Sequence, residues 1–194
     1  MNDFITIDTS AGISKPKKLG PLPLYDENFY LLEEVMPDYI GSLPNPSISE
    51  IAERMRITMK DFNGLGLSAN QCGIKLRAFI IGTDQFQIFC INPKVLSQSE
   101  ETTKDNEGCL SFPGLFCKID RPKSVEVEFT TQNGETKQMT LEGLTARCFL
   151  HELDHLNGIK FTNRIGPVSL QMARKKQTKL IKKVKKIKIG RAHV

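Results

Sequence analysis

The sequence predicts an α+β fold, in which antiparallel strands pack around one central helix. Residues 123–129 (KSVEVEF) alternate apolar and polar side chains, and residues 136–143 (TKQMTLEG) do so less cleanly. Asn133-Gly134 lies between these two predicted strands and is the preferred dipeptide of a two-residue hairpin turn. A helix is predicted over 144–157. A hairpin followed directly by a helix favours the α+β class.

Upstream, the sequence predicts two further helices. Residues 26–36 predict a short helix, and a longer one is predicted after Pro46. Ser47 and Glu50 have capping-box spacing, in which each side chain satisfies the other's free backbone N–H. Apolar residues then recur at helical spacing on one face: Ile48, Ile51, Ala52, Met55, Met59 and Phe62.

The middle of the chain predicts a loop and two more strands. Residues 63–73 are rich in glycine and predict a loop, and the apolar runs 77–82 and 87–92 predict short strands. The helix predicted at 144–157 ends at Asn157-Gly158, a common helix stop.

Length and composition indicate one soluble domain. The chain has 194 residues, with 39% hydrophobic and 25% charged residues. No apolar run approaches the roughly 20 residues of a membrane helix. The N-terminus lacks a basic segment followed by an apolar stretch, so we expect a cytoplasmic location. Five cysteines are an odd number, so a disulfide framework is not expected.

Charge is unevenly distributed along the chain. The formal net charge is +5, but 10 of the 27 Lys and Arg residues lie from residue 174 onward, where Asp and Glu are absent. The remaining 17 basic residues face 22 acidic ones, so the body carries about −5. An acidic body with a basic tail indicates that the tail has its own role.

The strongest functional signal is the segment HELDH, residues 151–155. On a helix, residues i and i+4 lie on the same face one turn apart, so His151 and His155 could bind one metal ion. Glu152 could then reach a water in the open coordination position. The alternative is that both histidines lie at the solvated end of a core helix.

A catalytic metal site requires a third protein ligand and an open fourth position. No acid follows Asp154, so the third ligand is expected upstream. Cys109 is the best candidate, because the flanking Gly108 would allow the backbone to come close. The alternative for Cys109 is a buried core thiol.

Three sequence blocks together resemble the signature motifs of peptide deformylases. These blocks are GLGLSANQ (64–71), EGCLS (107–111) and HELDH (151–155), which resemble GxGxAAxQ, EGCLS and HExDH. The resemblance spans roughly residues 24–161. It implies hydrolytic removal of the formyl group from N-formylmethionine of nascent polypeptides, with release of formate. It also implies that the central helix carries the metal motif.

The resemblance implies a role for each matching residue. Cys109, His151 and His155 would bind one divalent ion, most simply Fe(II), with nickel, cobalt or zinc also suitable. Glu152 would be the catalytic base, and Gln71 with the Leu110 backbone N–H would stabilise the oxyanion. The remaining roles are substrate contacts and an ion pair that supports the histidines: Gly64, Leu65, Gly66 and Leu110 would bind substrate, and Glu107 would pair with Arg121 to steady the histidines.

One departure from the motifs concerns the peptide beyond its first residue. Gly114 and Phe116 stand where many bacterial members carry an acidic residue and an Arg. We therefore expect a different peptide preference. A second departure is Arg147, which stands where an apolar residue is common near the methionine pocket, so we expect the rim of that pocket to differ too.

The chain is divided into an irregular N-terminal arm (1–24), a catalytic domain (25–170) and a basic C-terminal extension (171–194). Leu180, Val184 and Ile187 give the extension a partial helical stripe, which favours an amphipathic helix that docks to a partner. By family resemblance this partner would be the ribosome, and no membrane is expected. The alternative is a solvated tail.

Two other functions remain open at this stage. The same His-Glu-His chemistry occurs in metallopeptidases, which cleave ordinary peptide bonds. A non-enzymatic RNA-binding protein with a structural metal site is the other alternative. The upstream EGCLS block and the Gln71 loop favour the deformylase.

Overall fold

The computed structural model describes residues 19–83 and 86–191, with side chains described up to residue 184. A five-stranded antiparallel sheet has the order β1-β2-β3-β6-β7, and β4 and β5 form a separate two-stranded sheet. The strands are β1 Gly66–Ser68, β2 Ala78–Gly82, β3 Gln87–Gln98, β4 Thr102–Gly108, β5 Phe116–Pro122, β6 Ser124–Thr130 and β7 Thr136–Glu142. The helices are α1 Pro46–Asp61, α2 Gly143–Leu156 and α3 Pro167–Arg191. The predicted α+β class is confirmed.

Helix α1 begins differently from its prediction. The Asn45 side chain accepts hydrogen bonds from the backbone N–H groups of Ser47 (2.9 Å) and Ile48 (3.4 Å), so Asn45 is the N-cap. Pro46 occupies the first helical position, where its missing N–H has no cost. The predicted Ser47–Glu50 capping box is therefore wrong. The apolar face is buried as expected at Ile48, Ala52, Met55 and Met59, whereas Phe62 follows the helix and is exposed.

The segment 26–36 forms only one 3₁₀ turn, Tyr30–Glu33, instead of the predicted short helix. Tertiary pairing stops it, because the Met36 backbone N–H donates to the carbonyl of Leu156 (2.8 Å). Val35 also forms a β-bridge with Asn157. The chain after the turn is thus held extended against the end of α2.

The predicted hairpin of β6 and β7 is present, but its turn is longer than two residues. The last paired residues are Thr130 and Thr136, which leaves a five-residue loop. Asn133-Gly134 lies in that loop, and Gly134 has a φ of +88°. The β4–β5 hairpin was missed, because β4 (TTKDNEG) has almost no apolar residues to produce an alternating pattern.

Helix α2 packs on the five-stranded sheet through buried apolar side chains. Phe149 meets Phe79 of β2 edge to face, with 5.0 Å between ring centroids. The helix ends before Asn157-Gly158 as predicted. Gly158 has a φ of +70°, and an added Cβ there would lie 2.7 Å from the carbonyl oxygen of Glu33, so only glycine fits this stop.

Helix α3 runs without interruption across the predicted boundary at residue 170. Leu180 and Val184 of the predicted stripe are both partly exposed, and the side chain of Ile187 lies outside the described part. Of the predicted N-terminal arm, residues 1–18 lie outside the described residues, and 19–24 form neither helix nor strand. Among the described helices, none has the length and apolar character needed to span a membrane.

Candidate metal centre and active-site cavity

The three predicted metal ligands converge at one point. Cys109, His151 and His155 each offer one ligand atom, and these atoms all lie within 4.8 Å of one another. The two histidines come from successive turns of α2, with ring centroids 5.0 Å apart. Cys109 follows β4, and its Sγ lies 3.2 Å from His155 Nε2. The backbone therefore brings one sulfur and two imidazole nitrogens together.

The chemistry of these donors fits a divalent transition metal. One thiolate and two imidazoles form a set that suits zinc, iron, nickel or cobalt, with a fourth position left for water. Burial lowers the pKa of His155 well below its ordinary value, which favours the neutral ring that a metal requires. Burial also opposes protonation of His151, but its contacts with the Cys109 sulfur and the Glu107 carboxylate raise its pKa to about 10, so a metal would have to displace a proton from this ring. In the described part of the chain, buried Glu152 Oε2 has no hydrogen-bond partner. A metal-bound water would satisfy such an oxygen.

Glu107 orients one of the histidines. Its Oε2 lies 3.1 Å from His151 Nδ1, which leaves His151 Nε2 free to face a metal. Arg121 holds Glu107 in a two-pronged ion pair, with both N···O distances 2.9 Å. Burial opposes ionisation, but the hydrogen bonds from His151 and Arg121 outweigh it and lower the pKa of Glu107 to about 2. The pair expected from sequence therefore exists.

Glu152 is buried beside the three donors. Desolvation raises the pKa of its carboxyl to about 7, which lies near the pH at which a cell operates. The carboxylate lies directly against Gly66 of β1. A Cβ added to Gly66 would be 2.4 Å from Glu152 Oε1, so the absence of a side chain at Gly66 makes the room that the carboxylate occupies.

Gln71 bonds both its own loop and the donor cluster. Its Oε1 accepts hydrogen bonds from the backbone N–H and the hydroxyl of Ser68, both at 2.9 Å. Its Nε2 therefore points the other way, toward Cys109 Sγ (3.4 Å) and Ser111 Oγ (3.1 Å). The amide N–H₂ is fixed as a donor beside the three candidate metal ligands.

A cavity of about 480 Å³ opens in front of these groups. Every residue that the sequence predicted for catalysis or substrate binding lines this cavity: Gly64, Leu65, Gly66, Gln71, Leu110 and Glu152. Cys109 and His151 also line it.

Comparison with known proteins agrees with this geometry. A family model described as polypeptide deformylase matches residues 28–171. A peptide deformylase of Thermotoga maritima is 39% identical over 140 residues, which cover 72% of this chain and 85% of that protein. The crystal structure of peptide deformylase from Thermotoga maritima has a TM-score of 0.72 and 35% identity, covering 76% of this chain and 99% of that one. The crystal structure of a peptide deformylase from Synechococcus elongatus in complex with actinonin has a TM-score of 0.77 and 30% identity. The match covers 90% of this chain and 95% of that one.

The chain belongs to the polypeptide deformylase family. The resemblance predicted from the three sequence blocks is therefore confirmed, as is the predicted enzyme class, a metal-dependent hydrolase acting as a peptide deformylase.

Within this deformylase fold, two charged residues near the candidate ligands form ion pairs that were not predicted from sequence. Arg147 Nη1 donates to Glu107 Oε1 (2.8 Å) and to the carbonyl of Ile119 (2.9 Å), so α2 is tied to the β4–β5 sheet. Asp154 accepts from Arg121 Nη1 at 2.7 Å and pairs also with Arg164. Glu107 and Asp154 thus share Arg121, and each of these two buried carboxylates is paired with a cation.

Arg147 lines the cavity, in keeping with its expected place near the methionine pocket, but Leu144 and Cys148 of the cavity wall were missed although the sequence contains their signal. Leu144, Arg147 and Cys148 all line the cavity. They precede His151 by seven, four and three positions, which is the spacing of one helix face. Extending the face of the two histidines one turn and then two turns toward the start of α2 would have identified them.

Proposed function

We propose that this enzyme hydrolyses the formamide bond of N-formylmethionyl nascent peptides and releases formate, with Cys109, His151 and His155 as its metal ligands. One observation carries the assignment of these residues. A thiolate sulfur and two imidazole nitrogens meet beside a buried carboxylate at the wall of a cavity of about 480 Å³. Such a site can activate a water molecule against a small amide.

We infer Fe(II) as the metal ion, with nickel, cobalt or zinc able to replace it. The donor set suits each of these ions, and iron follows from the family. When bound, such an ion lowers the pKa of a water molecule and polarises the formyl carbonyl as a Lewis acid.

Glu152 acts as the proton carrier. Its pKa of about 7 allows the carboxylate to take the proton of the attacking water and then to release it to the leaving amine. The contact with Gly66 limits where the carboxylate can lie. A buried base with a fixed position is already oriented for proton transfer when the substrate binds.

Gln71 and Leu110 supply the donors for the charge that develops on the formyl oxygen. Ser68 fixes the Gln71 amide so that its Nε2 faces the donor cluster, and the Leu110 backbone N–H follows the ligand Cys109 directly. Donors that are oriented before the reaction stabilise the transition state at little reorganisation cost, and losing one typically costs roughly 10²–10³ in rate.

The peptide backbone binds along the open edge of β1. This strand is at the end of the five-stranded sheet, so its outer edge can accept an extended peptide as an additional strand. Gly64 and Leu65 lead directly into β1, which begins at Gly66, and all three residues line the cavity. Leu65 and Leu110 then contact the methionine side chain.

The basic part of α3 binds the ribosome, where formylated chains emerge. Its support is a set of exposed lysines on the helix, among them Lys175, Lys179, Lys182 and Lys183. Binding of this kind weakens steeply with salt, because phosphate contacts release counterions. Co-sedimentation with ribosomes over a salt series, with the wild type and with a variant in which these four lysines are replaced by glutamine, tests it. Equal sedimentation of both forms would argue against it.

The five free cysteines agree with a cytoplasmic location.

The test of the reaction is formate release from formyl-Met-Ala-Ser by anaerobically purified protein loaded with Fe(II) or Ni(II). We expect release by the wild type and a loss of about 10²–10⁴-fold in Glu152→Ala with its metal retained. Unformylated Met-Ala-Ser is the control substrate, and cleavage of its peptide bonds would favour a metallopeptidase. No release from correctly metallated protein would refute the proposed reaction.

A further inference from the structure

The cavity wall opposite α2 includes a short turn that follows Cys109. The Phe112 N–H donates to the carbonyl of Cys109 (2.9 Å), and the Leu115 N–H donates to that of Phe112 (3.1 Å). Pro113, Gly114 and Leu115 line the cavity on the inner side of this turn. Residues 112–115 are called the wall turn below. Its position affects both the cavity and the backbone next to a metal ligand.

Helix α3 packs on the outer side of the wall turn. Gln177 is 9% exposed, and its Nε2 donates to the carbonyl oxygen of Pro113 at 3.0 Å. One turn further along the helix, Leu180 and Ile181 lie beside Gly114, where an added Cβ would be 3.5 and 4.0 Å from them. The helix therefore backs the wall turn along its length.

Arg174 adds a second tie, one turn before Gln177. Its guanidinium lies over the Phe112 ring at 5.9 Å from the centroid, and its Nη1 donates to Gln177 Oε1 at 3.0 Å. The same guanidinium forms an ion pair with Glu27, which fixes it against the body of the protein. Because Arg174 holds the Gln177 amide oxygen, the amide nitrogen is directed at Pro113.

The contacts continue from Phe112 to the metal centre. The Phe112 ring meets Phe161 edge to face at 5.1 Å, and Phe161 lies 5.5 Å from the His151 ring. All three rings are buried. A shift of the wall turn would therefore disturb a packed interior rather than a free loop.

We propose that Gln177 and Arg174 are positioning residues that fix the wall turn, so that α3 sets how tightly the cavity holds its substrate. This inference rests on the proposed function for its substrate. It gives the first half of α3 a role in the catalytic domain, separate from any binding by the lysines on the other faces of the helix. Gly114 itself is explained by its φ of +76°, since an added Cβ would make only ordinary van der Waals contact with the helix.

The test compares Gln177→Met with Lys176→Ala in the full, metal-loaded chain. Methionine keeps the volume of Gln177 but removes both hydrogen bonds, whereas Lys176 is exposed on the same turn. For Gln177→Met we expect KM for formyl-Met-Ala-Ser to rise about 2- to 10-fold, the equivalent of one hydrogen bond. Metal content and kcat should stay at the wild-type values. Arg174→Gln should raise KM in the same direction, and Lys176→Ala should leave it unchanged.

A second measurement needs no turnover, so it separates this inference from the reaction itself. Amide hydrogen exchange of residues 109–116 should be faster in Gln177→Met than in the wild type, and unchanged in Lys176→Ala. Deletion of 185–194 should leave both exchange and KM unchanged, since the contacts lie before residue 185. An unaltered KM with a lower Tm in Gln177→Met, or equal exchange rates in all variants, would overturn the proposal.

Discussion

Replacing Gly66 with alanine tests whether a bare backbone position controls the catalytic base. The added Cβ would lie 2.4 Å from Glu152 Oε1 and 2.9 Å from its Cγ and Cδ. Ordinary van der Waals contact begins at 3.4 Å, so the carboxylate or strand β1 must move by about 1 Å. Glu152 is buried and lines the cavity, so a displaced carboxylate changes its position relative to the proposed ligands.

The expected cost follows from this displacement. A misplacement of about 1 Å at a reacting group can reduce the rate about 10²-fold. Complete loss of a general base costs about 10²–10⁴-fold, which sets the upper limit. We therefore expect Gly66→Ala to lower kcat about 100-fold while the metal content stays near one ion per chain, because the three atoms nearest to the added Cβ all belong to Glu152 and not to a proposed ligand.

The assay is steady-state formate release with metal content measured on the same sample. Gly166→Ala is the matched control, since nothing lies within 4 Å of a Cβ at Gly166. A Gly66→Ala enzyme with wild-type kcat would refute the idea that this contact fixes Glu152. Loss of the metal would also refute it, because the effect would then come from the ligands.

Other predictions concern the buried ion pairs, the first helix and the metal. Arg121→Met should lower metal affinity about 10- to 100-fold in a chelator competition, because Glu107 loses its two-pronged partner and His151 its support. Arg147→Met should lower the metal affinity less, since the ion pair of Glu107 with Arg121 remains. An equal loss of metal affinity in the two variants would contradict this expectation. Asn45→Ala should reduce the free energy of unfolding by about 1 kcal/mol in urea without changing kcat, and an unchanged midpoint would argue against the cap. Chelation should abolish formate release, and added Fe(II) or Ni(II) should restore it.

The metal centre could be predicted from sequence because its parts are local. His151 and His155 need only one helical turn to face the same side, and the EGCLS block places Cys109 in a turn. The convergence of these two segments needed family resemblance, since no pattern of residues shows which turn faces α2. In the structure, β4 pairs with β5 and β5 packs against α2, which brings the turn after β4 to the two histidines.

The errors have more than one physical origin, because a competing local signal decides the start of α1 whereas tertiary contact overrides local preference in segment 26–36. Ser47 and Glu50 have the spacing of a capping box, but Pro46 already fits the first helical position and moves the cap to Asn45. The segment 26–36 has helical composition, yet hydrogen bonds with the end of α2 hold its last residues extended. The five-residue loop likewise exceeds the turn that Asn133-Gly134 favours when it stands alone.

The arrangement around HELDH explains why this short motif can serve as a catalytic centre. Each of its polar residues contacts a different part of the chain. His151 is held by Glu107, Glu152 lies against Gly66, Asp154 is paired with Arg121, and the carbonyl of His155 accepts from Asn70 Nδ2 at 2.7 Å. These partners come from β4, β1, β5 and the turn after β1, so the helix cannot rotate or slide without breaking several buried contacts at once. A helix fixed in this way keeps two ligands and a base in one geometry, which is what catalysis at a single water requires.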